Sequence, residues 1–310
     1  MIHNPRAGYG GARRHRALDE SRRVLFAAGI ETTLAEVSKP GDTSELARHA
    51  ASEGRDLVIV CGGDGTLNEA VNGLAANPDG RQVPLALLPG GTANILAKEL
   101  GLPWDFPRAA ALLASATPRP IALGLATPLE APEKRRYFLC VGGAGPDGAI
   151  VRAVDLGLKE RAGILAYWYE GARQLFGYRF PQFRVRTDGH SVDSTLVIVG
   201  RTKHYGGPFQ ITTEASLFED RFELTAIETQ SALRYLSYLP ALWLGKLREA
   251  PGVHFWKADT VVCEPLGTGP VYAQVDGEPL GRLPVEFRIV PRALTLLVPE
   301  PPRPETPKRR

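Results

Sequence analysis

Two apolar runs, Asp56–Cys61 (DLVIVC) and Val83–Pro89 (VPLALLP), each end in a glycine-rich turn that gives way to a helix-like stretch. The turns are GGDGT, Gly62–Thr66, and GGTAN, Gly90–Asn94. Successive strand–turn–helix units commit this part of the chain to a parallel sheet with helices on both faces, because parallel strands need a crossover between them. In such sheets ligands gather outside the carboxyl ends of the strands. A helix N-terminus presents unpaired N–H groups that favour an anion, and glycines let phosphate approach the backbone. Glycines also simply make tight turns, and for one such turn that reading would stand. Here there are two in succession, each with Thr and then Asn two residues on (Thr66 and Asn68, Thr92 and Asn94), a pattern that favours nucleotide phosphates. Asp64 adds to it: a carboxylate beside a phosphate calls for a cation between them, and Mg²⁺ bridges the two. The alternative for Asp64 is an acceptor in an Asx turn.

Around these turns, residues 1–120 alternate strand and helix. Helices are predicted over Ala12–Ala28, Thr43–Glu53, Leu67–Ala76, Ile95–Leu100 and Asp105–Ser115, with Asp42 or Thr43 as the second N-cap. A further strand is predicted over Ile30–Val37. After Pro120 the pattern becomes short strand-like runs separated by turns such as Asp188-Gly189 and Asp276-Gly277. That predicts an antiparallel β-rich sandwich over residues 121–298, interrupted by helical inserts near Leu158–Gly177 and Gln230–Glu249. Residues 299–310, PEPPRPETPKRR, are Pro-rich and charged and are expected to be disordered.

Bulk properties narrow the function classes. A net charge of +3 over 310 residues does not support wholesale nucleic-acid binding. The basic crowd Arg6, Arg13, Arg14, Arg16, Arg22 and Arg23 reads either as a solvated helix face or as phosphate attraction near the N-terminus. Cys61, Cys140 and Cys263 are too few and too far apart for a disulfide framework or a metal knuckle. The chain opens MIHNP with no signal peptide, and no apolar run approaches the ~18 residues of a membrane span, so a cytoplasmic location is expected. The six histidines show no metal-binding spacing. There is no Walker loop and no protein-kinase motif set. A literal GxGxxG, Gly143–Gly148, lies mid-chain after a strand of the second domain, where only its Asp147 is of interest.

GGDGT followed by PGGTANILA (Pro89–Ala97) resembles the diacylglycerol kinase catalytic family, which includes soluble bacterial lipid kinases and sphingosine and ceramide kinases. NPRAG (Asn4–Gly8), GRTKHYGG (Gly200–Gly207) and VDGE (Val275–Glu278) look like further motifs of that family, in order, so the resemblance spans almost the whole chain. It implies an α/β nucleotide-binding domain of NAD kinase and diacylglycerol kinase type joined to the β-rich domain. It implies ATP and Mg²⁺ bound by Asn4, Gly8, Gly63, Asp64, Gly65, Thr66, Asn68, Glu69, Thr92 and Asn94. Glu278 matches the family's catalytic base and Asp147 an acid that pairs with it. Phosphoryl transfer needs an acceptor for the substrate's hydroxyl proton, and two close carboxylates resist double ionisation, which makes one a better base near neutral pH.

Three departures stand out. The family's structural magnesium segment matches SLFEDR, Ser216–Arg221, where the ligands would be Ser216, Glu219 in place of an aspartate, and the Arg221 carbonyl; the site is kept, shifted to Asp220, or lost. Only Met1–His3 precede NPRAG, which points to a shortened start, and Val37 stands where the family has an ATP-contacting threonine. The stretches Lys159–Arg179 and Leu233–Arg248 mix aromatics with basic residues. They read as helices covering the sandwich, or as an amphipathic pair bordering an apolar cleft at the inner membrane face. The expected activity is phosphorylation of a diacylglycerol-like or sphingoid hydroxyl. The partner is a membrane lipid met peripherally, with no nucleic acid, and the chain is a possible homodimer. The alternatives are an NAD kinase-like enzyme with a soluble acceptor and a non-catalytic lipid- or nucleotide-binding descendant.

Overall fold

The computed structural model describes residues 1–8, 11–76, 82–153, 177–206 and 209–300. The α/β part runs β1 (Ile2–His3), α1 (Gly11–Ala27), β2 (Ala35–Glu36), α2 (Asp42–Ser52), β3 (Val58–Gly62), α3 (Asp64–Ala75), β4 (Leu85–Pro89), α4 (Ile95–Glu99) and α5 (Phe106–Ala114). Its strands lie in the order β2-β1-β3-β4, all parallel. Every residue of β3 and β4 is buried, as the unbroken apolar runs require of strands covered on both faces. Alternation sends Val58 and Val60 towards Leu67 and Val71, and Ile59 and Cys61 towards Leu18, Leu25 and Phe106. The helix pair α2–α3 is close: a Cβ on Gly73 would lie 2.2 Å from the Ser44 carbonyl oxygen.

Two local expectations fail for identifiable reasons. Of the strand expected over Ile30–Val37, only Ala35–Glu36 forms. The Thr32 oxygens accept from the Arg22 guanidinium at 3.2 and 3.3 Å, and the Thr33 carbonyl accepts from the Met1 amine at 2.7 Å, so this backbone is used outside the ladder. The N-cap of α2 is Gly41 (φ 89°), not Asp42 or Thr43. Asp42 Oδ2 instead accepts the backbone N–H groups of Ser38 and Lys39, both at 3.0 Å, and fixes the turn before the helix.

The rest of the chain runs β5 (Thr117–Pro128), β6 (Arg136–Phe138), β7 (Val141–Ala144), α6 (Pro146–Ala153), β8 (Phe183–Thr187), β9 (His190–Ser194), β10 (Leu196–Gly200), β11 (Phe222–Ile227), α7 (Ala232–Trp243), β12 (Val253–Ala258), β13 (Thr260–Pro265), β14 (Tyr272–Val275), β15 (Glu278–Arg282) and β16 (Val285–Val298). One sheet is antiparallel, in the order β12-β11-β10-β7-β14-β15. The other strands do not form a separate sheet. The long β16 lies antiparallel to β5 and β13, then pairs parallel with β4 through Leu296 and Leu85. The β-rich part thus continues the sheet of the α/β part across residue 120. Between the two sheets Phe138 stacks on Phe222 at 5.6 Å and meets Phe287 edge-on at 6.1 Å. Opposite Phe138 only a glycine fits: a Cβ on Gly124 would be 2.2 Å from its ring.

The insert expected over Leu158–Gly177 lies outside the described residues except for Gly177, as does the tail from residue 301. The second insert is α7 with a 3₁₀ turn at Leu247–Glu249. Among the described residues no helix is long and apolar enough to cross a membrane.

Phe287 is fully buried where the two sheets meet. Phe287→Ala should cost about 3–5 kcal/mol in urea unfolding, the range for a large core truncation. A loss below about 1 kcal/mol would mean this aromatic cluster does not hold the sheets together.

Candidate active site

The two glycine-rich turns are packed against each other at the carboxyl ends of β3 and β4. Gly90 N–H donates to the Gly62 carbonyl at 2.8 Å. A Cβ on Gly91 would lie 2.5 Å from Gly63 Cα, and one on Gly63 would lie 3.0 Å from Gly91 Cα, so this approach needs glycine on both sides. Asp64 ties the turns further. Its Oδ1 accepts Ile95 N–H at 2.8 Å, which places an acidic side chain on the N-terminus of α4. The N-terminal loop closes on the same place. Gly8 (φ 71°) lies so near the second turn that a Cβ would meet the Gly90 carbonyl at 2.2 Å, and Asn4 Nδ2 donates to Thr66 Oγ1 at 2.9 Å. Thr92 is exposed at the mouth of the second turn.

Three residues expected at the nucleotide have side chains bonded within the fold. Asn94 is 1% exposed, adopts a left-handed conformation (φ 46°), and closes its own turn through paired 2.8 Å bonds with the Gly91 N–H and carbonyl. Asn68, also 1% exposed, donates to the Tyr137 carbonyl at 3.0 Å and to Asp276 Oδ2 at 2.9 Å, and accepts from Arg136 Nε at 2.8 Å. Glu69 Oε1 accepts Gly41 N–H at 3.2 Å, securing the loop before α2. Val37 packs in the core.

The DGE motif comes from the other side. Asp276 and Gly277 form the two-residue turn between β14 and β15 with φ values of 49° and 78°, as an Asp-Gly hairpin turn requires. The Asp276 carboxylate accepts four bonds: Leu139 N–H at 2.8 Å, Cys140 and Val141 N–H at 2.9 Å each, and Asn68 Nδ2 at 2.9 Å. Burial raises its pKa and these bonds oppose the rise. This fixed turn delivers Glu278 to the first glycine-rich turn: a Cβ on Gly65 would stand 3.3 Å from Glu278 Oε1. Asp147, 5% exposed in the first turn of α6, reaches the same hairpin through an intermediary. Its Oδ2 accepts from Gln274 Nε2 at 2.6 Å, and Gln274 Oε1 accepts Gly277 N–H at 2.9 Å. Tyr205 OH donates to Asp147 Oδ1. Burial raises the Asp147 pKa, and the two hydrogen bonds oppose the rise. The neighbouring His204 Nδ1 meets Glu99 of α4 at 2.9 Å, a second tie between the β-rich part and the turn-bearing helix.

One residue at the site was not singled out by sequence. Arg14 is 9% exposed, and its Nε and Nη2 have no hydrogen-bond partner among the described residues. Its guanidinium stacks over Phe106 and lies against both loops: Cβ atoms on Gly90 and Gly8 would be 1.9 Å from Nη2 and 3.4 Å from Nη1. Burial lowers its pKa, with no carboxylate opposing that shift. The signal was the helical face Arg14, Leu18, Ser21 and Leu25, all buried: a cation in an otherwise core-facing stripe.

Glycine-rich turns at the ends of parallel strands, with a carboxylate brought to them from a β-sandwich, are the parts a kinase needs. The comparisons with known proteins agree. Residues 1–126 match the diacylglycerol kinase catalytic domain and residues 141–298 match the YegS C-terminal NAD kinase beta sandwich-like domain. The diacylglycerol kinase of Mycobacterium tuberculosis is 30% identical over 300 residues, covering 96% of this chain and 93% of its own. That of Bacillus subtilis is 28% identical over 306 residues, covering 97% and 96%. A Bacillus anthracis crystal structure, 23% identical, superposes with a TM-score of 0.78 over 97% of this chain and 94% of that one, a likeness of fold. The chain belongs to the diacylglycerol kinase family.

Asp64 yields a pH prediction. Burial first, and then the charge of Asp276, push its carboxyl up to about 6. A raised carboxyl binds its proton more tightly in the folded state, so ionisation weakens the fold as pH rises from about 4 through 6. Asp64→Asn keeps an acceptor for Ile95 N–H and removes that charge. Without ligands, the stability of the variant relative to the natural chain should rise by on the order of 2 kcal/mol between pH 4 and pH 7. A difference independent of pH would show that Asp64 does not titrate there.

Proposed function

We propose that the chain transfers the γ-phosphoryl group of ATP to the hydroxyl of a diacylglycerol-like or sphingoid lipid at the inner membrane surface. The observation that carries this reading is the position of Glu278, brought from the β-rich part to within contact distance of the Gly65 position. A carboxylate there faces the phosphates with no task in holding them; its use is to take a proton from an incoming hydroxyl. In the step, the lipid O–H bond breaks and its proton passes to Glu278. The oxygen forms a bond to the γ-phosphorus, and the bond to the bridging oxygen breaks, with ADP leaving with that electron pair.

The cradle supports the donor half. N–H groups at the start of α3, the Gly8 loop, exposed Thr92 and the Arg14 guanidinium surround one place where polyphosphate would sit. The kinase family implies a magnesium ion used with the nucleotide, and Asp64, whose charged form is penalised by burial and then by the charge of Asp276, is the side chain at the turns that would gain from such a cation. Asp64 would hold that ion, whose chemistry is neutralisation of charge on the β- and γ-phosphates. Asp147 acts as a positioning residue for the Glu278 hairpin.

The acceptor half draws on the family and on α7. Leu233 and Trp243 of α7 and Leu244 at its C-terminal end are 74%, 69% and 70% exposed, with Arg234 and Lys246 beside them in the sequence. Apolar side chains bordered by lysine and arginine suit an anionic lipid surface.

Glu278→Gln should lower turnover at least ~100-fold with ATP affinity nearly unchanged, because a general base acts in the step and not in donor binding. Radiolabelled ATP with lipids in mixed micelles, and NAD as a control acceptor, tests the acceptor class. Label in NAD and in no lipid would overturn the lipid reading. Arg14→Met should weaken ATP binding ~10-fold or more while leaving the unliganded chain at least as stable, since it removes an unpaired buried cation. Unaltered affinity would remove Arg14 from the phosphate site.

A further inference from the structure

The segment Ser216–Arg221 resembles one that holds a structural magnesium ion through Ser216, an acid at 219 and the carbonyl of Arg221. The residues around it do not fit that ion. Arg201, just beyond β10 and 0% exposed, drives its guanidinium into the segment from the protein side. Nη2 donates to the Leu217 carbonyl at 2.7 Å and Nη1 to the Glu219 carbonyl at 3.1 Å. The acid at 219 is engaged elsewhere: Lys257 Nζ meets Glu219 Oε2 at 2.8 Å. Ser216 Oγ accepts Phe218 N–H at 3.3 Å, and the Ser216 carbonyl accepts Glu219 N–H at 3.2 Å. Arg221 Nη2 donates to the Lys257 carbonyl at 3.4 Å, pinning its side chain to β12.

Magnesium needs six oxygens converging in near-ideal octahedral geometry. Here two carbonyls of the segment point at a guanidinium, the carboxylate points at an ammonium, and a dication beside Arg201 would meet like charge. Among the described residues no group of three or more His, Cys, Asp and Glu is placed to hold a metal ion. We propose that the 216–221 segment is held without metal, with Arg201 acting as a built-in cation that satisfies the loop carbonyls from inside. Although burial brings the Arg201 pKa down to about 10, the nearby Asp220 charge opposes that fall and the guanidinium stays charged at neutral pH. Divalent metal would then act only together with the nucleotide. This inference does not depend on which acceptor the site serves.

The test uses the full chain, stripped of metal and free of nucleotide. Thermal unfolding is followed as MgCl₂ is raised to about 10 mM, and backbone amide signals of residues 216–221 are watched as Mn²⁺ is added. Expected are a midpoint shift below ~1 °C and no broadening confined to those amides. A metal site at many times its Kd would raise the midpoint by several degrees. Such a rise together with selective broadening at 216–221 would overturn the proposal; a rise with broadening elsewhere would leave this segment metal-free as proposed. Arg201→Met should lower the midpoint and speed hydrogen exchange across 216–221. If that variant does not fold, Arg201→Lys keeps the charge but loses the two-carbonyl fork, and should unfold at a lower temperature, still without response to Mg²⁺. A lysine variant as stable as the natural chain, or one stabilised by Mg²⁺, would refute the assignment to the guanidinium.

Discussion

The carboxylate of Asp276 is the knot on which the rest of the structure depends. It sits on a two-residue hairpin turn and gathers three consecutive backbone N–H groups, Leu139 to Val141, plus the amide of Asn68. The first three lead from the end of β6 into Val141, the first residue of β7, the strand beside β14. The fourth belongs to α3, the helix that grows out of the first glycine-rich turn. One side chain therefore fixes the register of the β-sandwich against the helix that frames the phosphate cradle. Charge-assisted bonds of this kind are roughly twice as strong as neutral ones, and removing their acceptor would strand buried donors. Glu278 is two residues away on the same hairpin, so this anchoring helps to set its position over Gly65.

The same economy explains why the two halves share a sheet. A catalytic carboxylate on a separately folded domain would approach the cradle with the freedom of a domain hinge. Here β16 runs from the sandwich back to β4 and pairs Leu296 with Leu85, while β5 accompanies it along its length. The Glu99–His204 contact closes the other side. Both links join the part that bears Glu278 to the part that bears the turns, while α7 exposes Leu233 and Trp243 at the surface.

Sequence made part of this legible. The strand-to-helix turns were readable because glycine, apolar run and helix follow one another locally, and the Asp276-Gly277 hairpin because its conformation is dictated by those two residues. The return of β16 to β4 was not readable, since it joins residues more than two hundred apart and an apolar strand carries no label for its neighbour. The internal bonds of Asn68 and Asn94 are equally hidden. An asparagine beside a glycine turn looks the same in sequence whether its amide faces a ligand or closes the backbone. Arg14 was hidden in a crowd of arginines, although its place on the Leu18–Leu25 face of α1 distinguished it from its neighbours.

Unbalanced charge locates the donor site more sharply than any motif does. On one side of the turns, Arg14 is a buried cation with unpartnered N–H groups. On the other, Asp64 and Asp276 share a void, and the charge of Asp276 adds to the cost of ionising Asp64. Brought together directly, these groups could have formed an ion pair, and the fold keeps them apart with the glycine turns between. Burial penalises the charged form of each, and the hydrogen bonds to Asp64 and Asp276 offset part of that cost. Under the proposed function, a polyphosphate with its metal would reverse both at once, offering anionic oxygens to Arg14 and positive charge to Asp64. In the proposed reaction that complementarity would make binding energy available for positioning the γ-phosphoryl group beneath Glu278.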